Sequence, residues 1–134
     1  MEIVQTSLPG VLEIHPQVFA DERGDFFENY NEKKLQAAGI AKIFPLEYQS
    51  MSKKGVLRGM HFQKKPFAQA KLVRVAKGKI LDVVVDIRKS SETYGKCVSF
   101  ILSSENKKMI WIPEGFAHGF LSLEDNTIML YKLT

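Results

Sequence analysis

Lys71-Leu72-Val73-Arg74-Val75-Ala76-Lys77-Gly78-Lys79-Ile80-Leu81-Asp82-Val83-Val84-Val85-Asp86-Ile87 decides the fold class. It reads as two strands, Lys71 to Ala76 and Lys79 to Ile87, with a hairpin predicted at Lys77-Gly78. In the second strand Leu81, Val83, Val85 and Ile87 share one face, and Ile80, Asp82, Val84 and Asp86 share the other. Both faces are mostly apolar, the pattern of a strand covered on two sides. Asp82 and Asp86 then need partners, because an unpaired buried charge is costly. A polar cavity inside a β-structure accommodates them.

The same pattern continues outward. Gly10 to Phe19, Phe26 to Tyr30, Gly55 to Phe62, Cys97 to Ser103, Met109 to Ile112, Gly119 to Leu123 and Thr127 to Lys132 are further predicted strands. One helix is predicted, Glu32 to Ala38 in the N-terminal third, with Asn31 as its N-cap and Gly39 as its stop. Many short strands with almost no helix predict an all-β barrel or double-sheet jelly roll, whose mouth and lumen suit a small ligand. At 134 residues, with no linker or repeat, the chain is expected to form a single domain over residues 1–134.

Composition narrows the partners. The net charge of +4 is spread over scattered doublets such as Lys33-Lys34 and Lys64-Lys65, without an aromatic-interleaved basic stripe, which argues against nucleic acid. A modest positive field does favour an anionic ligand such as a diphosphate. Glu2 follows Met1 with no apolar leader segment, and no apolar run approaches a membrane span, so a soluble cytoplasmic protein is expected, with no membrane partner. Cys97 is the only cysteine and is expected to pack, reduced, in its strand.

Chemistry concentrates in Arg58-Gly59-Met60-His61-Phe62-Gln63, in Lys71, in Pro113-Glu114-Gly115-Phe116-Ala117-His118, and in Tyr131. His15, apart from these, is read as a histidine satisfying local hydrogen bonds. The Gly-x-His spacing at 59–61 and the Pro-x-Gly-x-x-His spacing at 113–118 resemble the two motifs of cupin barrels, the double-stranded β-helix fold. Cupins often bind metal there, but Gln63 stands where a second histidine would, and no glutamate lies between it and Gly78. Two histidines without a carboxylate make a poor metal site, so a metal-free cupin is expected. If Arg58 and His61 both enter one site, strict strand alternation must be broken by a bulge near Gly59.

Longer blocks carry a closer resemblance. Asp21-Glu22-Arg23-Gly24, Val56 to Gln63, Lys71-Leu72-Val73-Arg74, Asp82 to Arg88, Ser103 to Lys107 and Trp111 to Phe120 resemble the dTDP-4-dehydrorhamnose 3,5-epimerase family across nearly the whole chain. The resemblance implies a cofactor-independent, homodimeric jelly roll acting on a nucleotide-diphosphate sugar of the 4-keto-6-deoxy type. By resemblance His61 is the base that removes a proton α to the ketone, at C3 and/or C5, and Tyr131 the acid on the opposite face. Lys71 would stabilise the enolate oxygen. Arg58 and His118 would bind sugar or phosphate, and Arg23 and Glu28 would reach the nucleotide, in the family often from the neighbouring subunit. A histidine, with a pKa near ~6.5, suits the base role without large tuning.

Two departures qualify the resemblance. Leu46-Glu47-Tyr48 stands where the family commonly has Gln-Asp-Asn, so Tyr48 offers a stacking face in place of an amide. The family also continues beyond the strand holding Tyr131, and that segment supplies the carboxylate paired with the catalytic histidine. This chain is read as either a truncated or a naturally compact member. In the compact case Asp82 or Asp86 would orient an imidazole, the alternative being ion pairing with Arg74 or Lys71. A 3,4-ketoisomerase of the same cupin class and a non-catalytic sugar-nucleotide-binding cupin are the competing functions.

Overall fold

In the computed structural model, which describes residues 1–134, Lys71–Lys77 (β7) and Lys79–Asp86 (β8) are both strands, but they do not pair with each other. β7 lies between Met109–Ile112 (β10) and Thr127–Leu133 (β12), whereas β8 lies between Phe116–Ser122 (β11) and Cys97–Ser103 (β9). The predicted hairpin is therefore a corner at which the chain leaves one sheet for the other. Both runs carry an apolar inward row, Val73 and Val75 on β7 and Ile80 and Val84 on β8, all fully or almost fully buried. Laying those rows face to face removes more apolar surface from water than pairing the strands side by side. Gly78 makes the corner with φ +83°, and Thr127 packs directly against its Cα.

The remaining elements are Glu2–Gln5 (β1), Leu12–His15 (β2), Val18–Asp21 (β3), Gly24–Phe27 (β4), Glu32–Ala37 (α1), Leu46–Ser52 (β5) and Leu57–His61 (β6). Three antiparallel sheets result: six strands in the order β1-β2-β10-β7-β12-β5, four in the order β6-β11-β8-β9, and the β3–β4 hairpin. The larger two face each other as a cupin-type jelly roll with one short helix. Gly10 to Phe19, expected as one strand, is two, because Pro16 cannot donate to a ladder. β1 and β5 were not expected as strands. Asn31 caps α1 as predicted, its Oδ1 accepting from the Lys34 amide at 3.1 Å.

Two apolar clusters hold these layers. The inner one fills the sandwich with residues such as Val73, Ile80, Val84, Ile110, Phe120 and Met129. The outer one covers the back of the six-stranded sheet, where Leu35 of α1 and Ile40 pack on Leu12, Leu72, Met109 and Trp111. Phe44 bridges Tyr30 and Trp111 edge-to-face. The inner cluster does not reach β5 and β6, the edge strands of the two large sheets. All five residues of β6 are exposed, so the sandwich opens there. Cys97 is exposed at the start of β9, contrary to the packing role expected for it. No helix is long and apolar enough to cross a membrane.

Candidate active site

The open end holds a cavity of about 320 Å³ whose walls come from both large sheets. β6 and β11 of the four-stranded sheet contribute Arg58, His61 and His118. β5, β7 and β12 of the six-stranded sheet contribute Tyr48, Ser50, Lys71 and Tyr131. The cavity thus brings together six of the side chains singled out in the sequence, with His61 on one wall and Lys71 and Tyr131 on the other.

A bulge puts Arg58 and His61 on the same wall. His61 pairs with His118 and Arg58 pairs with Phe120, so three steps along β6 match two along β11. The extra residue cancels the alternation that would otherwise send the two side chains to opposite faces. Gly59 permits this with φ +125° and an approach so close that a Cβ there would lie 2.6 Å from the Gly119 Cα. Only glycine at both positions lets the backbones meet.

Asp82, on β8 beneath the cavity, is fully buried. Its Oδ2 stands 2.7 Å from His118 Nε2, and its Oδ1 has no partner, the only buried side-chain polar atom so placed. Asp82 therefore orients an imidazole, but that of His118, not that of His61. Asp86 orients neither. It is occupied by Arg88 (Nη2 to Oδ2 at 2.7 Å) and by the hydroxyls of Ser91 and Thr93, each at 2.6 Å. That set, Arg88 first, holds its carboxyl well below the usual carboxylate range. Asp86 is a structural anchor for the Arg88 to Thr93 turn, because Arg88, Ser91 and Thr93 take up both of its oxygens, although β8 places it as near to His118 in register as Asp82. Neither carboxylate pairs with Arg74 or Lys71.

Lys71 and Arg58 take part in no ion pair. Burial pulls the Lys71 ammonium below its ordinary value, against the smaller opposing pull of Asp82. Burial likewise raises the Tyr131 phenol, which the Ser50 hydroxyl, 2.8 Å away, and the charge of Arg58 partly counter. Tyr48 is the direct cross-strand partner of Tyr131 and lies largely exposed at the mouth. No group of three or more histidine, cysteine, aspartate or glutamate side chains converges as a metal site would.

Arg23 and Glu28 stand apart. Arg23, exposed at the β3–β4 turn, is paired with Asp21 at 2.6 Å, and Glu28 is held by Lys34 and Asn31 beside α1. Neither lines the cavity. His15 pairs locally with Glu13 at 2.9 Å, as expected of it. Ser50 and Ser52 escaped the reading of the sequence. Ser52 Oγ accepts from Arg58 Nε at 3.1 Å. Strand alternation from Tyr48 would have found both serines, had Leu46–Ser52 been recognised as a strand.

Residues 5–134 match the family model for dTDP-4-dehydrorhamnose 3,5-epimerase. The enzyme of that name from Shigella flexneri is 52% identical over 133 residues, covering 98% of this chain and 74% of that protein. Among solved structures, the dTDP-4-dehydrorhamnose 3,5-epimerase of Bacillus anthracis with TDP and PPi bound superposes with a TM-score of 0.96 at 41% identity, covering 98% of this chain and 76% of that one. The dTDP-6-deoxy-D-glucose-3,5-epimerase of Legionella pneumophila, in complex with dTDP-4-keto-L-rhamnose, gives 0.95 at 44% identity, covering 99% and 71%.

Proposed function

Because the chain belongs to the dTDP-4-dehydrorhamnose 3,5-epimerase family, we propose that it is a cofactor-independent isomerase of nucleotide-linked 4-keto-6-deoxy sugars in deoxysugar and surface-polysaccharide biosynthesis. The observation that carries this reading is the placement of His61 and Tyr131 on opposite walls of one cavity with the Lys71 ammonium beside Tyr131's wall. Epimerisation needs a proton removed from one face and returned to the other. His61 takes the proton from the carbon α to the C4 ketone, at C3 and/or C5, and the electron pair of that C–H bond delocalises onto the carbonyl oxygen as an enolate. Lys71 faces the developing negative charge, a preorganised donor that contributes roughly 3 kcal/mol, while His118 with Arg58 binds the sugar or phosphate. Tyr131 O–H then protonates the carbon from the other face and the ketone re-forms. Solvent restores the phenol and accepts the proton from His61.

Arg58 supplies positive charge for the diphosphate, and Tyr48 a stacking face at the mouth. Arg23 and Glu28 lie outside the cavity of their own chain. The exposure of Arg23 at the β3–β4 turn is compatible with a homodimer in which each hairpin reaches the nucleotide held by the partner. A cytoplasmic location fits an enzyme whose substrates are nucleotide sugars.

Incubation with dTDP-4-keto-6-deoxyglucose in deuterium oxide, followed by NMR, tests the reading. Label at C3 and C5 is the outcome of double epimerisation, and label at C3 alone of a monoepimerase. A keto group moved to C3 would replace the proposal with a 3,4-ketoisomerase. Tight nucleotide binding with no exchange would leave a non-catalytic cupin.

A further inference from the structure

β5 carries two serines, Ser50 and Ser52, on the row that faces into the sandwich. Their cross-strand partners on β12, Met129 and Thr127, are both buried in it. Each serine holds a different cavity residue. Ser50 Oγ is 2.8 Å from the Tyr131 hydroxyl. Ser52, itself buried, accepts from Arg58 Nε at 3.1 Å, and the Met51 carbonyl accepts from Arg58 Nη2 at 3.3 Å. Arg58 belongs to the other sheet, so these two bonds tie β6 to β5 across the open end.

Resting on the epimerase reading, we propose that β5 is a positioning strand, on which Ser50 aims and stabilises the Tyr131 phenol and Ser52 fixes the Arg58 guanidinium. Neither serine is a catalytic residue. When Tyr131 O–H passes its proton to the substrate carbon, the C=C pair of the enolate forms the C–H bond, an oxygen lone pair re-forms the carbonyl, and a phenolate remains. Ser50 O–H then donates to that phenolate until solvent reprotonates it. The charge of Arg58, which the Met51 carbonyl also holds in place without Ser52, favours the same phenolate. Burial alone would make Tyr131 a poor proton donor, so both contacts act where the site needs them.

The two serines separate in kinetics. In Ser50→Ala, proton removal by His61 persists while reprotonation from the opposite face slows. The ratio of solvent exchange to net inversion in deuterium oxide therefore rises about tenfold, the value of one lost hydrogen bond. The Tyr131 phenol, followed by ring-carbon NMR with Tyr131→Phe assigning its signal, titrates at higher pH in that variant, and Ser50→Thr restores both readouts. In Ser52→Ala, KM rises about tenfold with kcat changed less than threefold. Equal losses of exchange and inversion in Ser50→Ala, an unmoved phenol titration, or a kcat loss without a KM change in Ser52→Ala would overturn the proposal. Absence of exchange in the unaltered protein sinks the epimerase reading instead, and the phenol titration then still decides whether Ser50 governs Tyr131.

Discussion

His61 and His118 are direct partners across β6 and β11, yet only His118 has a carboxylate. Asp82 reaches it from β8 and is buried with it, whereas His61 is exposed on an edge strand. Two imidazoles side by side on one wall thus have different physical characters. One is locked in a buried pair, and the other is accessible to a substrate and to water.

The buried pair predicts an order of stabilities. His118→Ala would leave Asp82 with no partner on either oxygen, and removing one member of a buried ion pair costs about 3–5 kcal/mol. Asp82→Ala leaves a buried imidazole without its one hydrogen-bond partner, at about 2 kcal/mol. Urea denaturation of the two variants should therefore find His118→Ala the weaker protein. Equal losses, or the reverse order, would contradict the dependence of buried Asp82 on His118 as its one partner.

The accessible imidazole predicts the opposite combination. His61→Asn should lower solvent exchange at the substrate carbon by about 10²–10⁴-fold, the contribution of a positioned base. Its melting curve should stay within about 0.5 kcal/mol of the unaltered protein, as for other exposed substitutions. Near-normal exchange would remove His61 as the base.

Lys71 is predicted to be held at a cost to stability. Burial lowers its folded-state value below the unfolded one, so wherever lysine is charged in both states the folded form bears the desolvation penalty. That penalty is fully present at neutral pH and disappears only at alkaline pH, as the ammonium loses its proton. Lys71→Met should accordingly raise neutral-pH stability by about 0.5 kcal/mol, a small figure because water still reaches the ammonium. Epimerisation should fall by about 10²-fold. A destabilised Lys71→Met protein would show that the ammonium has partners that compensate its burial.

Gly59→Ala tests the bulge. A side chain there must adopt φ +125° and meet the Gly119 backbone, which costs about 2–4 kcal/mol in chemical denaturation. Gly24→Ala, also at positive φ but with open space around its Cβ position, should cost only the backbone penalty of about 1 kcal/mol. Comparable losses for the two would mean that the contact with Gly119 is relaxed.

The strands rich in valine and isoleucine, the Asn31 cap and the irregularity near Gly59 were all legible in the sequence, because each rests on local chemistry. The corner at Gly78 was not. Two apolar strands joined by a glycine look alike whether they pair edge to edge or face each other, and only the burial of both inward rows decides. β5 was missed for a related reason. Its inward row is Tyr48, Ser50 and Ser52, polar because it borders a cavity, so it lacks the apolar alternation of a core-facing strand. Parity placed Asp82 in the interior, but which histidine it serves depends on the register of β8 against β11, which no single strand encodes.

The site owes its composition to counting. β6 runs one residue longer than its partner between His61 and Arg58, and that surplus brings the imidazole and the guanidinium to the same side of the sheet. Deleting Gly59 would give a more regular ladder and send His61 and Arg58 to opposite faces with no side chain removed. In this fold a single-codon length change therefore decides which side chains share a face of the sheet.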